Sequence, residues 1–238
     1  IVIEQFLTGR EVSLLLFCDG ESFAIMPPTR DHKRIGEGDT GPNTGGMGTF
    51  TDTGLLNNER LEVVKNTIIE PTLAGCRSEG FPISGVLFLG LMVEGDSINV
   101  LEYNVRFGDP EAQSILVRLE SDLVDICQAI VERRLGDLEV AWRPGSSACV
   151  ILAADGYPAA PRKGDEIRGL SALAGMKDVR VFHGGTRRNE DQQLVTSGGR
   201  VLGVTSVGGD LEEALSAAYI AASEISWDGM QFRRDIGR

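Results

Sequence analysis

Runs of apolar residues separated by turn signals divide the first half of the chain into predicted strands. Residues 1–6 form a short β-rich run, and an Asp-Gly pair lies between the apolar runs 11–17 and 23–26, which is a strong hairpin signal. The run 84–93 is almost wholly apolar, as expected of a central strand covered on both faces, and a polar turn leads from it into a strand over 98–104. We therefore expect two β-hairpins in this half.

Helical spacing of apolar residues predicts an amphipathic helix over 57–79, which Pro71 is expected to kink or divide. The tripeptide DPE at 109–111 is typical of an N-cap, a first helical residue and a first-turn acid, so a helix should run from it to about Leu119. A further helix is expected over 121–134. These helices would flank the predicted strands.

The polar segment 136–147 is a candidate domain boundary. Beyond it, short strands are expected near 148–153, 179–183, 193–196 and 200–206. A helix over 211–225 follows, and Asp210 with Glu213 resembles its capping box. These elements predict a small α+β unit, in which His183 and the turn at 197–200 are expected to be structural.

Charge and hydropathy argue against several classes of protein. The formal net charge of −12 argues against a nucleic-acid partner, because such a partner is bound by neutralising many phosphates. No apolar run reaches the roughly 18 residues that span a bilayer, and the start of the chain lacks the features of a signal peptide. With 238 residues, of which 42% are hydrophobic, the chain can bury one sizeable core or two small ones.

The four cysteines are far apart and form no C-x-x-C pair for zinc or redox chemistry. They are expected to be buried free thiols in a reducing cytoplasm: Cys18, Cys76, Cys127 and Cys149. A cytoplasmic location is therefore predicted.

The segment 31–48, DHKRIGEGDTGPNTGGMG, is the strongest candidate for chemistry. Six glycines in thirteen residues are too many for a core and too biased for an ordinary hairpin, and they let consecutive N–H groups surround an anion. Lys33 and Arg34 would add positive charge. A G-x-G-x-x-G match at 36–41 lacks the strand before it and the helix after it that a dinucleotide site needs. A mobile solvated loop is the alternative.

Polar residues alternate along the second predicted hairpin. On an extended strand, Glu102, Asn104 and Arg106 share one face, while the residues between them point to the other face. A carboxylate and an amide oxygen suit magnesium, and a guanidinium suits phosphate. An ordinary polar strand face is the alternative interpretation.

Several motifs together indicate a family. DHKR followed by GDTGPNTGGMG, and later LEYNVRFGDPE, GYP, VFHGGT, SGGRVLGVT and FRRDIG, resemble the glycinamide ribonucleotide synthetase family, ATP-grasp enzymes of purine synthesis. The resemblance covers essentially the whole chain. It implies an α+β ATP-grasp fold, with an antiparallel sheet flanked by helices and a small carboxy-terminal α+β domain. The implied domains are an ATP-grasp part over 1–135, a linker over 136–147 and a carboxy-terminal domain over 148–238.

The resemblance also implies an activity and a set of site residues. The activity is ligation of glycine to 5-phosphoribosylamine through glycyl phosphate, with ATP and Mg²⁺ or Mn²⁺. The implied roles are ATP binding by Glu4, Phe6, Leu7 and Glu11; metal binding by Glu102 and Asn104; catalysis by Arg106, Lys33 and Arg34; and substrate binding by Asp31, Asn43, Thr44, Gly45, Gly46, Met47 and Asp109. Many ATP-grasp enzymes supply another acidic metal ligand from the preceding strand, where Leu91 and Met92 are apolar here, so the metal count stays open.

Two alternatives remain at this stage. The chain could be another ATP-grasp ligase of purine synthesis that acts on a different carboxylate. It could also be a catalytically incomplete nucleotide-binding fragment, because, set against the family, the amino-terminal domain and most of the lid lobe are expected to be missing. The expected partners are the small-molecule substrates, without nucleic acid or membrane, in a monomer or weak dimer.

Overall fold

The structure is a computed structural model that describes residues 1 and 3–238. The strands are β1 (Arg10–Asp19), β2 (Phe23–Ile25), β3 (Thr29–Asp31), β4 (Arg34–Gly36), β5 (Thr40–Asn43), β6 (Gly48–Thr51), β7 (Ser84–Glu94), β8 (Ser97–Asn104), β9 (Ser146–Ala153), β10 (Val179–His183), β11 (Thr186–Arg188), β12 (Leu194–Thr196) and β13 (Arg200–Gly208). The α-helices are α1 (Asn58–Val64), α2 (Glu70–Ser78), α3 (Glu111–Ile115), α4 (Leu123–Val131) and α5 (Leu211–Glu224).

The chain divides into two compact units, each built from three segments. The first unit comprises Ile1–Arg30, Thr53–Gly108 and Leu119–Trp142. The second unit comprises Asp31–Asp52, Asp109–Arg118 and Arg143–Arg238.

Antiparallel strands form the centre of the first unit. β1 pairs with β7 from Arg10↔Val93 to Asp19↔Ser84, β8 pairs with the other edge of β7, and β2 folds back on β1. Both predicted hairpins are therefore confirmed. Helix α4 packs against β1 and β7, so the middle of each strand is buried, as the continuous apolar runs predict.

A buried carboxylate closes the first hairpin. Burial of Asp19 opposes ionisation, but the backbone N–H groups of Ser22, Glu21 and Leu135 donate to its two oxygens at 2.6–2.9 Å. The net effect is that the pKa of Asp19 lies below its usual value. This carboxylate therefore fixes the turn and the segment at 135 in its ionised form.

The predicted helix over 57–79 is divided, as expected. Between α1 and α2 lies a π-helical turn, Lys65–Ile69, in which the N–H of Glu70 donates to the carbonyl oxygen of Lys65. Pro71 follows at the start of α2, where its missing N–H is tolerated. The division is a packing feature.

The strand predicted over residues 1–6 is wrong for the part that the structure describes. Residues 1 and 3–7 form no ladder and are largely exposed, with Phe6 at 89% of its full exposure; Val2 lies outside the described residues. β-Propensity makes a strand only where a neighbouring backbone is available for pairing. The ladder begins at Arg10.

In the second unit the strands follow the order β10–β13–β9–β6, all antiparallel. Helix α5 packs its alanine face, including Ala218 and Ala222, on β9 and β13 over Val150 and Val204. The predicted strands and helix of this unit are confirmed. The Asp210 cap is also present, since its carboxylate accepts from the N–H of Glu213.

The start of α3 differs from the prediction. The helix begins at Glu111, with Pro110 at the cap position and no side-chain cap. Asp109 is therefore not the N-cap, because its carboxylate accepts from the side chains of Gln113 and Arg200 instead. Helix α4 begins at Leu123 behind its cap, Asp122, rather than at residue 121.

All four cysteines are free thiols, but only two are buried. Burial raises the pKa of both Cys18 and Cys149 to about 12. Cys76 is half-buried and Cys127 is exposed on α4, so the prediction of burial is wrong for Cys127. Among the described helices none has the length and apolar character that crossing a bilayer requires.

Candidate functional site

The glycine-rich segment of the second unit forms a short β-hairpin, contrary to the expectation of an irregular loop. β4 and β5 pair from Arg34↔Asn43 to Gly36↔Thr40, and the Nη1 of Arg34 donates to the carbonyl oxygen of Gly41 at 2.6 Å. Gly38 and Gly41 adopt positive φ of 67° and 78°, which the tight turn and its irregular register require. The glycines therefore build a defined hairpin. A short strand, β4, does lead into the G-x-G-x-x-G match at 36–41, contrary to expectation, but β5 and β6 follow it in place of the helix that a dinucleotide site needs.

An elbow formed by residues 44–46 follows this hairpin. The N–H and the hydroxyl of Thr44 both donate to the carbonyl oxygen of Lys33, and the same hydroxyl accepts from the N–H of Gly46. Gly46 has φ +113°, and a Cβ there would lie 2.5 Å from Pro110 Cδ and 2.7 Å from Asp31 Oδ1. Only glycine fits this position, so the backbone can lie against those groups.

Arg200 holds the elbow from β13. Its Nη1 donates at 2.7 Å to the carbonyl oxygens of both Gly45 and Asp109, and its Nη2 lies 3.1 Å from Asp109 Oδ2. The N–H of Gly45 donates to the hydroxyl of Tyr157 at 3.0 Å. The guanidinium is largely covered, at 23% exposure, so its charge is directed at this corner of the second unit.

A cavity of about 310 Å³ opens beside this corner. Its polar lining includes Asp109, Gln113, His183 and Arg200, and Phe182 contributes an aromatic wall. His183 Nδ1 lies 3.1 Å from the hydroxyl of Thr186, an ordinary structural contact. The cavity combines an Arg200–Asp109 ion pair with amide and imidazole groups, which suits a small polar ligand.

The other predicted substrate residues have different placements. Asp31 ends β3 and lies beside Gly46, Lys33 is half-buried before β4, and Asn43 is exposed at the end of β5. Met47 is fully buried and its N–H already donates to the carbonyl oxygen of His32. Met47 is therefore a packing residue, and its predicted binding role gains no support from the structure.

A second arginine, Arg233, supports the hairpin from the segment that follows α5. Its Nε and Nη2 donate to the two oxygens of Asp235 at 2.8 and 2.7 Å, and its Nη1 donates to Asp39 Oδ1 and to the carbonyl oxygen of Arg34. The N–H of Gly38 also donates to Asp235. The hydrogen bonds from the Arg233 guanidinium lower the pKa of Asp235 to about 2. The N–H of Gly38 lowers this pKa further, while partial burial of the carboxylate acts in the opposite direction.

In the first unit, Glu102 and Asn104 lie on β8 as predicted. Glu102 pairs with Gly90 of β7, and a Cβ at Gly90 would lie 3.0 Å from Glu102 Cγ. Asn104 Nδ2 donates to Glu102 Oε1 at 3.2 Å, so the two side chains share a face, while the Tyr103 hydroxyl contacts Thr72 of α2. The predicted alternation is confirmed for 102–104.

Arg106 does not belong to this row. β8 ends at Asn104, and residues 105 and 106 form a bend, in which the Nη1 of Arg106 donates to the carbonyl oxygen of Phe107. The alternation predicted for an extended strand therefore stops before Arg106. Because Arg106 is exposed and bonded only locally to Phe107, its predicted role with phosphate depends on movement of this side chain.

The predicted nucleotide residues begin before β1. Glu4 and Phe6 are exposed and Leu7 is half-buried, whereas Glu11 lies within β1 opposite Met92. Glu11 and Glu102 share one face of the sheet. They lie on the two strands that flank β7, and their partners on β7 are two residues apart. Standard strand spacings then put their Cα atoms roughly 12 Å apart.

The donors on β8 suit a hard cation. A carboxylate and an amide supply the oxygens that Mg²⁺ prefers, and such sites are completed by phosphate and water. Within the part of the chain that the structure describes, no group of three or more His, Cys, Asp or Glu side chains could hold a metal. Glu102 and Asn104 are the two side-chain oxygen donors that the end of β8 offers to such an ion.

Three residues organise the site although no local sequence pattern indicates it: Tyr157, Arg200 and Arg233. Each lies in a motif that the resemblance cites, GYP, SGGR or FRRDIG, but each is more than 100 residues from the elbow or hairpin that it contacts. Only a tertiary structure reveals those contacts.

Two sequence profiles of one family match the chain in order. The profile described as "Phosphoribosylglycinamide synthetase, ATP-grasp (A) domain" matches residues 1–112, and the profile of the "C domain" of the same synthetase matches residues 147–238. A phosphoribosylamine–glycine ligase of Vigna unguiculata is 44% identical over 232 residues, which cover 96% of this chain and 75% of that protein. The chain belongs to the phosphoribosylglycinamide synthetase family.

Other members of the synthetase family extend the match over the whole chain. The phosphoribosylamine–glycine ligase of Vibrio parahaemolyticus is 48% identical over 238 residues, all of this chain and 55% of that protein. The crystal structure of the Thermotoga maritima ligase superposes with a TM-score of 0.86 at 36% identity, covering 98% of this chain and 57% of that chain. The ATP-grasp fold class is thus confirmed, and the chain spans about half the length of these two relatives.

Proposed function

We propose that the protein ligates glycine to 5-phosphoribosylamine at the expense of ATP, giving glycinamide ribonucleotide, ADP and phosphate. The observation that carries this proposal is 48% identity, over the whole chain, to a protein named phosphoribosylamine–glycine ligase. Chemically, a carboxylate oxygen of glycine attacks the γ-phosphorus and ADP leaves, which gives glycyl phosphate. The amine then attacks the acyl carbon, loses a proton and displaces phosphate. Negative charge develops on the phosphoryl oxygens in the first step, and on the acyl oxygen and the departing phosphate in the second, so positioning and electrostatics supply most of the catalysis.

In this proposal the first unit binds the nucleotide. Backbone groups near Phe6 and Leu7, with Glu4 beside them, contact the adenine edge, and the Glu11 carboxylate accepts hydrogen bonds from the ribose hydroxyls. Glu102 and Asn104 hold Mg²⁺ or Mn²⁺, which when bound neutralises charge on the phosphate oxygens. The shared face of Glu11 and Glu102 supports this arrangement.

The second unit binds the two substrates that are joined. Lys33 and Arg34 contribute positive charge for phosphate, and the elbow at 44–46 with Asn43 and Asp31 contacts glycine and the amine. The cavity beside Asp109 and Arg200 supports a polar substrate there. We assign no direct contact to the side chain of Met47, because it is buried.

The test is an omission series with the purified full-length protein. ADP formation is followed with ATP, magnesium, glycine and freshly generated phosphoribosylamine, and each component is left out in turn. Turnover that requires both glycine and the amine supports the ligase. Turnover that accepts formate or bicarbonate in place of glycine would identify another ATP-grasp ligase of purine synthesis.

A second candidate function is nucleotide binding without ligation. It is suggested by the match to the Vibrio parahaemolyticus ligase, which covers 55% of that protein's length. Residues 1–238 tested alone could bind a nucleotide without catalysing ligation, so the same assay should be run on this segment and on the full-length protein. Turnover only in the full-length protein would assign the ligase activity to the whole protein, and equilibrium titration with ATP would then show whether the segment binds nucleotide. A cytoplasmic location and a monomer or weak dimer stay predictions.

A further inference from the structure

Arg233 occupies an unusual position for a charged residue, since it is buried to 1% exposure in the second unit. Its guanidinium donates two hydrogen bonds to Asp235 in its own segment. It donates two more to the glycine-rich hairpin, one to Asp39 and one to the carbonyl oxygen of Arg34. The partners on the hairpin are 194 and 199 residues away in sequence. One side chain therefore connects two remote segments.

The segment that carries Arg233 is itself fixed. The Tyr219 hydroxyl of α5 donates to the carbonyl oxygen of Arg233 and accepts from the N–H of Ile236, both at 3.0 Å. Ile236 is buried against Gly48, where a Cβ would lie 2.8 Å from its Cδ1. The hairpin is thus tied to a firmly packed support and not to another loop.

Further bonds join the same two segments. The N–H of Gly38 donates to Asp235 at 2.8 Å, the N–H of Arg234 donates to Glu37 at 3.1 Å, and the N–H of Gly237 donates to His32 Nε2 at 3.0 Å. These bonds lie at the turn of the hairpin and just before its first strand. The contact therefore fixes both ends of β4.

Buried ion pairs contribute little net stability, because desolvation of the charges offsets their attraction, but their geometry is specific. A hydrophobic residue at 233 could fill the space without holding the hairpin in one orientation. We propose that Arg233 is a positioning residue, which fixes the hairpin 34–43 so that the elbow at 44–46 is presented to the substrates. The kinetic part of this inference rests on the proposed function.

The test compares Arg233→Lys with a matched control, Arg118→Lys, in the full-length protein. Arg118 is also buried in the second unit, at 6% exposure, and it donates to Thr51 and to the carbonyl oxygen of Arg143. Lysine retains the charge in both variants but loses the fork. Hydrogen exchange by mass spectrometry should accelerate over residues 36–43 in Arg233→Lys only.

Kinetics provide the second measurement. We expect the KM for glycine or phosphoribosylamine to rise about tenfold in Arg233→Lys, because a displaced hairpin misplaces the elbow, with kcat within about twofold and the KM for ATP unchanged. Arg118→Lys should change these constants equally or not at all. If Arg233→Lys does not fold, Asp39→Asn removes the hairpin end of the contact at a half-exposed carboxylate and should shift exchange in the same direction.

The outcomes separate this inference from the proposed function. Unchanged exchange over 36–43, or equal rises in all three KM values, would overturn the positioning role even if the wild-type protein is a ligase. If hydrogen exchange over 36–43 accelerates only in Arg233→Lys but the wild-type protein shows no ligase turnover, the positioning role stands and the proposed function is wrong.

Discussion

Side chains from two distant parts of the chain hold the hairpin and elbow of the second unit, whereas Glu102 and Asn104 in the first unit bond to each other on an exposed strand. The first arrangement fixes backbone groups before a ligand arrives. The second provides oxygen atoms on a rigid ladder and leaves their final orientation to what they bind. In the proposed function, substrate selection uses the preorganised elbow, whereas Mg²⁺ keeps several water ligands in octahedral geometry and needs only one or two oxygens from the protein.

The strongest test of this contrast is Glu102→Gln, which retains size and removes the charge. If the carboxylate holds the metal, turnover should fall at least about 100-fold, since a hard cation binds an amide much less strongly. The melting temperature should not change, because Glu102 is exposed. The control is Asp96→Asn in the turn of the same hairpin, and near-normal activity of Glu102→Gln would remove it from the metal site.

In the second unit, preorganisation predicts a large cost for Gly46→Ala. The added Cβ meets Pro110 and Asp31 at a φ of +113°, so the free energy of unfolding should fall by about 3 kcal/mol. Gly38→Ala is the matched control, since its Cβ meets nothing within 4 Å at φ +67° and should cost about 1 kcal/mol. Urea denaturation of both variants checks this, and equal costs would show that the elbow adjusts freely.

Acid titration tests the support of the hairpin. The pKa of Asp235 is lowered from 3.8 to about 2, so its contribution is complete above about pH 5 and is lost as the pH falls from 4 to 2. The difference in unfolding free energy between the ionised and the protonated form of Asp235 is thus roughly 2 kcal/mol, whatever the net contribution of the ion pair. Asp235→Asn should flatten the stability profile in that range, and an unchanged profile would contradict the assigned ion pair. The pKa of Asp19 in the first unit is also lowered, so Asp19→Asn should likewise reduce the loss of stability on acidification.

Thiol labelling gives the smallest effect and compares the two cores. Cys127 is exposed and should react with an aromatic disulfide reagent within minutes. Cys18 in the first unit and Cys149 in the second are buried, with pKa values raised to about 12, so they should react only on unfolding. Mass spectrometry identifies the labelled residue, and early labelling of Cys149 would show that the second core opens readily.

The sequence predicts local structure where local chemistry decides it. The Asp19-Gly20 turn, the apolar β7 and the Asp210 cap all formed as expected, because each depends on neighbouring residues. Residues 1–6 were predicted as a strand from propensity, but pairing requires a second backbone. Asp109 looks like a helix cap in sequence, and Arg200 competes for it from 91 residues away.

The candidate site follows the same division. Glu102 and Asn104 could be predicted as neighbours on one face, since strand alternation is local. Arg106 fell outside because β8 ends two residues earlier. The placement of the elbow depends on Tyr157 and Arg200, and that of the hairpin on Arg233, whose contacts no local pattern indicates.

The connection between Arg34 and Arg233 also has a consequence for synthesis. Because 199 residues separate the two, a ribosome adding about 5–20 residues per second needs roughly 10–40 s to supply the second after the first. During that interval the glycine-rich hairpin has emerged without its support. The nascent chain should therefore be vulnerable to proteases at 36–43 until late in translation, and the elbow at 44–46 should be among the last parts to mature.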